Sequence, residues 1–209
     1  TYASGDNSTQ LVFQYTIQAT GTSGENDSNG ISIGANAIAL NSGTIKDVAG
    51  NDGILTHSLV DNNSSYKVDT TAPSVNSFTM NDTELNIDDN ATVTLVFSEA
   101  VILFNSDDDI TADNGSLTTM TTSDDNKTWS GTFTPTDDIE DDNNTLSLAN
   151  NSYTDLAGNN GPDNQTANYE VETREPTVSS VAITSATGKQ NNFVNATDNV
   201  SVTATFSEV

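Results

Sequence analysis

The chain has 209 residues, with 30 Asp and Glu against 5 Lys and Arg and a net charge of -25. Such a balance excludes a nucleic-acid backbone or an anionic membrane surface as partner, because like charges repel, and it suits a divalent cation. Cysteine is absent and no run of about 18 apolar residues occurs, so neither disulfide staples nor a membrane-spanning helix is expected.

Acidic chains with few aromatics can remain disordered. Here the apolar residues, 33% including Ala, instead fall in short alternating runs. In chain order, Leu11–Ile17 is the first. Strands are then predicted at Ser74–Met80, Ala91–Val101, Ser116–Thr122, Thr128–Thr134, Thr145–Leu148 and Ala167–Val171, and Val200–Phe206 closes the series. Period-two alternation is the mark of half-buried strands. The stretches between are rich in Asn, Asp, Gly and Ser, which supply turn chemistry. No segment of ten residues carries a 3.6-residue period, so the chain is expected to be all-β.

The sequence repeats itself. Tyr66-Lys67-Val68-Asp69-Thr70-Thr71-Ala72-Pro73-Ser74-Val75 recurs from Tyr169 to Val178, 103 positions on (169 − 66). Asp89 through Glu99 recurs as Asp198 through Glu208, 109 positions on (198 − 89). Ile45-Lys46-Asp47-Val48-Ala49-Gly50-Asn51 recurs as Tyr153-Thr154-Asp155-Leu156-Ala157-Gly158-Asn159, 108 positions on (155 − 47). A period near one hundred is too long for a solenoid and right for a small sandwich domain. Three units follow: 1–69 as the C-terminal part of a domain, 70–172 as a complete domain, and 173–209 as the N-terminal part of a further one. If 173–209 and 1–69 belong to equivalent domains, one or two strands are missing where they would join. Only about 15 residues would separate Phe206 from the next run, against 32 positions from Phe97 to Trp129. Thr1 starts in mid-pattern with no signal peptide ahead of it. Either the chain is an excerpt of a longer array, or its ends complete each other between molecules.

The Asp69-Thr70-Thr71-Ala72-Pro73 linker, the Phe97-Ser98-Glu99-Ala100-Val101 strand end and the Asp155-Leu156-Ala157-Gly158-Asn159 loop together resemble the bacterial immunoglobulin-like repeats of giant surface adhesins. Those adhesins include the biofilm-associated and repeats-in-toxin classes. The resemblance implies tandem immunoglobulin-like β-sandwich domains on the bacterial cell surface. It also implies a non-catalytic extender role in cell adhesion or biofilm formation, with calcium (Ca2+) stiffening the domain junctions. Partners would be neighbouring repeats of the same chain or of an adjacent copy. Glu172-Thr173-Arg174-Glu175-Pro176 departs from the first linker and puts calcium at the second junction in doubt.

The residues lead to the same ion independently. In a seven-strand sandwich alternate loops share a pole. The incoming linker, the end of the second strand and the loop before the last strand should therefore gather Asp69, Glu99 and Asp155. Three carboxylates without a cation repel and raise one another's pKa values. Calcium accepts six to eight oxygen ligands in flexible geometry. Asn159 or carbonyls of the Gly158 turn would complete the shell. Asp47, with Asn51 and Asp52, would serve the first domain, and Glu172 or Glu175 with Glu208 the third.

Other features carry less. Asp107-Asp108-Asp109, Asp124-Asp125 and Asp137-Asp138-Ile139-Glu140-Asp141-Asp142 read as solvated hairpin loops. His57 is the only histidine, too few for a triad or zinc site, so it is expected in a strand or at the surface. Trp129 is expected in the core. Tyr2, Tyr15, Tyr66, Tyr153 and Tyr169 look like isolated strand positions, which ranks a carbohydrate-binding module below a self-assembling extracellular filament as the alternative role.

Overall fold

The computed structural model describes residues 1–19 and 25–208. Four short strands come first: β1 (Tyr2–Ser4), β2 (Val12–Phe13), β3 (Ile31–Ile33) and β4 (Val60–Asn63), paired β1–β2 and β3–β4. The middle of the chain holds β5 (Val75–Met80), β6 (Glu84–Asn86), β7 (Ala91–Phe97), β8 (Ile110–Ala112), β9 (Gly115–Leu117), β10 (Thr121–Thr122) and β11 (Thr128–Pro135). It continues with β12 (Glu140–Asn144), β13 (Leu146–Leu148), β14 (Asn164–Gln165) and β15 (Tyr169–Glu172). A four-residue helix, α1 (Ser106–Asp109), precedes β8, and a long hairpin of β16 (Val178–Ala186) and β17 (Val200–Phe206) closes the chain.

The middle region is an immunoglobulin-like β-sandwich. One sheet runs β10-β11-β7-β5 with β9 also on β11; facing strands form β12-β15-β6 and β14-β13-β8. The chain changes sheets near its start, since β5 pairs antiparallel with β7 whereas β6 runs parallel to β15. Alternation does what the sequence predicts. In β7, Ala91, Val93, Leu95 and Phe97 are buried while the intervening residues face outward in varying degree. They share one core with Leu146, Leu148, Tyr169 and Val171 from the facing strands.

Phe97 occupies one end of that core. Its ring lies 5.6 Å from Phe104 and 4.6 Å from Tyr153, and Phe104 stands edge-on to Trp129 at 4.9 Å. Such aromatic pairs add about 0.5–1.5 kcal/mol each beyond burial. Tyr153 is fully buried and donates its hydroxyl proton to Pro162 O at 3.0 Å. Burial, with the nearby charge of Asp163, pushes its phenol up to about 12.

Several expected elements differ. Ala91–Val101 stops at Phe97, where the Ser98 hydroxyl accepts from Ser74 N–H and ends the ladder. Ser116–Thr122 is split into β9 and β10, and Leu11–Ile17 forms only β2. Glu140–Asn144, expected as part of a solvated loop, is a strand because β15 lies beside it. Trp129 is half-buried rather than central, with Nε1 donating to Asn126 O at 3.2 Å.

Among the described residues, every buried hydrophobic side chain lies between Phe78 and Val171. The strands on either side keep the apolar alternation but leave it open to solvent. No helix among the described residues is long and apolar enough to cross a membrane, which says nothing about a β-barrel.

Gly161 gives a direct test of the Tyr153 packing. A Cβ there would lie 2.0 Å from the Tyr153 ring. Gly161→Ala is expected to cost about 1–3 kcal/mol by overpacking and to lower the melting temperature by roughly 5–15 °C. Gly34→Ala, where a Cβ meets nothing within 4 Å, should leave calorimetric melting unchanged.

Candidate metal centre

Asp155 sits at the head of a tight turn. Its N–H donates to Asn159 O at 3.2 Å and its carbonyl accepts from Gly158 N–H at 3.3 Å, with Gly158 at φ +92. That left-handed conformation is why glycine stands there. The Asp155 carboxylate closes the turn from within. Oδ1 accepts from Ala157 N–H at 2.8 Å and Asn159 N–H at 2.9 Å, and Oδ2 accepts from the Asn159 side-chain amide at 2.7 Å. The residue is 1% exposed.

Core packing sets the position of two of the acids. Glu99 follows Phe97 by two residues and Asp155 follows Tyr153 by two, so the contact between the two rings fixes where both acids emerge. Asp69 arrives on the linker, where Oδ1 accepts from Thr71 N–H at 3.0 Å. The Asn159 amide also donates to Asp69 O and Thr71 O, at 3.2 and 3.3 Å. From the preceding segment, Asn26 Oδ1 accepts from Thr70 N–H at 2.8 Å and its amide donates to Thr71 Oγ1 at 2.6 Å. Two asparagines thus grip the linker from opposite ends. Nothing in the sequence distinguishes Asn26 from the many other asparagines, and it was not foreseen.

Carboxylate oxygens of Asp69, Glu99 and Asp155 lie within 4.8 Å of one another. Burial pushes the Glu99 carboxyl above its ordinary value, and the charges of Asp155 and then Asp69 add to this, partly offset by Lys127. For Asp155, burial acts upward too. The Asn159 amide and the backbone N–H groups of Asn159, Ala157 and Gly158 overcome it and hold the carboxyl below its ordinary value. One acid is locked as an anion and its neighbour bears the repulsion. An all-oxygen donor set of this kind fits a hard cation such as calcium.

The other residues singled out by sequence are arranged differently. Asp47 and Asn51 repeat the same turn, with Asn51 N–H on Asp47 Oδ1 and the Asn51 amide on Oδ2, both at 2.8 Å. The Asn51 amide, then its N–H, holds Asp47 below its ordinary value. Asp52 is paired with Lys46, and no group of three acids forms around Asp47 among the described residues. Glu172 and Glu208 do come together, joined by Glu140 rather than Glu175, with oxygens within 4.8 Å. Arg174 donates to Glu140 at 3.0 Å. Glu140 was legible only once β12 was seen to pair Glu140 with Glu172.

The acidic runs have structural duties. Asp109 and Asp108 accept from Asn105 at the start of α1, and Asp124 accepts from Thr128 N–H. His57 Nε2 accepts from Ala37 N–H at 2.9 Å and Nδ1 donates to Ser58 O at 2.8 Å.

Comparison with known proteins gives a family for the middle of the chain. Residues 69–171 match the family model described as a bacterial Ig-like domain. No curated protein matches the chain. Among solved structures, the chain is similar to the N-terminal part of the bacterial S-layer protein SbsC, at 16% identity and a TM-score of 0.32. The match covers 54% of this chain and 26% of that one, so it spans about a quarter of that chain's length.

Glu99→Gln tests the electrostatics. A carboxyl raised in the folded state holds its proton more tightly there than when unfolded, so without a cation stability falls as pH rises through the range just above the ordinary Glu value. Asp155 acts oppositely: its contribution is present above the ordinary Asp value and is lost as pH falls through its depressed folded value. In chelator, Glu99→Gln is expected to melt a few degrees higher near neutral pH, since about 0.5 kcal/mol moves a domain of about 100 residues by roughly 2–4 °C. It should keep the acid-side loss. Identical pH profiles for the two proteins would remove Glu99 from the cluster's electrostatics.

Proposed function

Starting from residues 69–171 being a bacterial Ig-like domain, we propose that this chain is a structural, non-catalytic extender segment of an extracellular bacterial surface adhesin, its junction stiffened by calcium. One observation carries this reading above the others. Carboxylates from the linker and from two loops of the following domain converge within 4.8 Å, although Asp69 and Asp155 are 86 positions apart (155 − 69). Asp69, Glu99 and Asp155 would hold the ion, and calcium would supply the positive charge that relieves the repulsion borne by Glu99.

The chain's own residues do the rest. Asn159 ties the linker backbone to the Asp155 turn, so an ion held by that turn and by Asp69 would fix the linker against the domain. Pro73 removes a donor and fixes φ where the domain begins, which shortens the list of conformations open to the joint. The net charge of -25 favours extension and keeps repeats from collapsing on one another. The non-catalytic part of the reading is supported by His57, whose ring nitrogens are both engaged with backbone groups.

Extracellular modules hold calcium at roughly 10⁻⁴–10⁻³ M, so ~10 mM calcium is worth about 1.4–2.7 kcal/mol by mass action. The melting temperature of the 209-residue chain should rise by roughly 5–15 °C over its value in chelator. Small-angle scattering should show a longer maximum dimension in calcium, and Asp155→Asn should abolish both effects. If chelation alters neither melting nor maximum dimension, the calcium joint is wrong.

A further inference from the structure

The hairpin β16–β17 is a copy of β5–β7 in register as well as sequence. Val178 pairs with Phe206, Val181 with Ala204 and Ile183 with Val202, as Val75 pairs with Phe97, Phe78 with Leu95 and Met80 with Val93. Even the closing bonds recur. Ser207 N–H donates to Thr177 O at 2.8 Å and Ser207 Oγ accepts from Thr177 N–H at 2.9 Å, matching Ser98 and Ser74. The difference lies in what covers the inner face. Phe97 is fully buried, whereas its counterpart Phe206 is 54% exposed.

Residues 1–69 carry the opposite half of the same sandwich. The Asp47 turn duplicates the Asp155 turn bond for bond, and the Asp27–Val68 bridge stands where β12 meets β15 at Asp141–Val171. Again the inner face is open. Tyr169 is 1% exposed and its counterpart Tyr66 is 65% exposed.

We propose that these two open faces are the two halves of one immunoglobulin-like sandwich, and that a second copy of this chain supplies the missing half, residues 173–208 of one molecule docking on residues 1–69 of the next. The contact is heterologous, head to tail, and therefore propagates into a filament rather than closing as a two-fold dimer. The occupant is set by the repeat itself. The face of β17 is built to meet strands of the kind found in 146–171, and within this chain the other bearer of that pattern is 1–69. Residues 1–69 and 173–209 together number 106, against 103 for 70–172, so the composite has the size of one domain. The strands it lacks are the counterparts of β8 and β9, each three residues long. β8 lies at a sheet edge and β9 pairs only with the end of β11. The composite would also bring Glu172 and Glu208 of one copy to Asp47 of the next, as Asp69 and Glu99 stand to Asp155.

Sedimentation velocity of the 209-residue chain over roughly micromolar to 100 µM, in millimolar calcium, tests this. The weight-average mass should rise with concentration through a ladder of oligomers, without stopping at a dimer. Val202→Asp places a charge on the open apolar face of β17 and should reduce association at least tenfold. Thr203→Asp, on the opposite face, should leave it unchanged. Because the core of the middle domain lies elsewhere, its melting transition reports that both variants remain folded. A monomer at every concentration overturns the proposal, as does an equal loss of association in the two variants. The calcium joint is judged separately, by the effect of chelator on the melting of the middle domain.

Discussion

The contact between Phe97 and Tyr153, with ring centroids 4.6 Å apart, is the constraint on which the candidate site depends. Phe97 ends one strand of one sheet, and Tyr153 lies in the segment that leads out of the other. Bringing them together inside the core fixes the exit direction of both chains, and the next outward-facing positions are Glu99 and Asp155. The acids therefore meet because the rings beneath them are packed, at a point where each would otherwise prefer water. Burial of two aromatic side chains is worth several kcal/mol. Repulsion between partly exposed carboxylates costs a fraction of that, so the fold wins and the acids stay together.

What differs among the three acids is how each is held. Asp155 is buried but fully engaged by backbone and amide donors, so it remains an anion. Glu99 has no comparable set of donors and its carboxyl is pushed upward. Asp69 belongs to a linker that the Asn159 amide holds against the turn. A cation is the species that satisfies all three together, since it replaces repulsion with attraction without requiring any of them to take up a proton.

The sequence showed the β-sandwich, its hundred-residue period and the meeting of Asp69, Glu99 and Asp155, because each rests on a strong local pattern. Alternation marks β7, and the Asp-x-Ala-Gly-Asn turn marks Asp155. The parts that were not legible rest on pairing across the fold. Glu140 sits in an acidic run with no apolar alternation, and it becomes a strand residue only because β15 supplies a partner ladder. Asn26 carries no local signature, since its importance lies in the Thr70 and Thr71 groups that it faces. Trp129 was misjudged because its polar edge needs a partner, and Asn126 O provides it at the rim of the core.

The two linkers show how one architecture reaches different chemistry. Thr70 Oγ1 donates to Glu25 O at 3.2 Å, and Thr173 Oγ1 stands in the same relation to Ile139 O at 3.4 Å. The residue after each of those carbonyls is Asn26 in one case and Glu140 in the other. Asn26 answers with its amide on the neutral hydroxyl of Thr71, whereas Glu140 meets the guanidinium of Arg174, which stands where Thr71 does in the first linker. A neutral clamp leaves the charge of the first acid cluster to be balanced from solution. At the second, Arg174 contributes a positive charge from the chain itself, although an exposed pair of this kind is a weak tie. The substitution of two residues thus moves a joint from dependence on a dissolved cation toward partial self-neutralisation, with the backbone geometry of the linker kept.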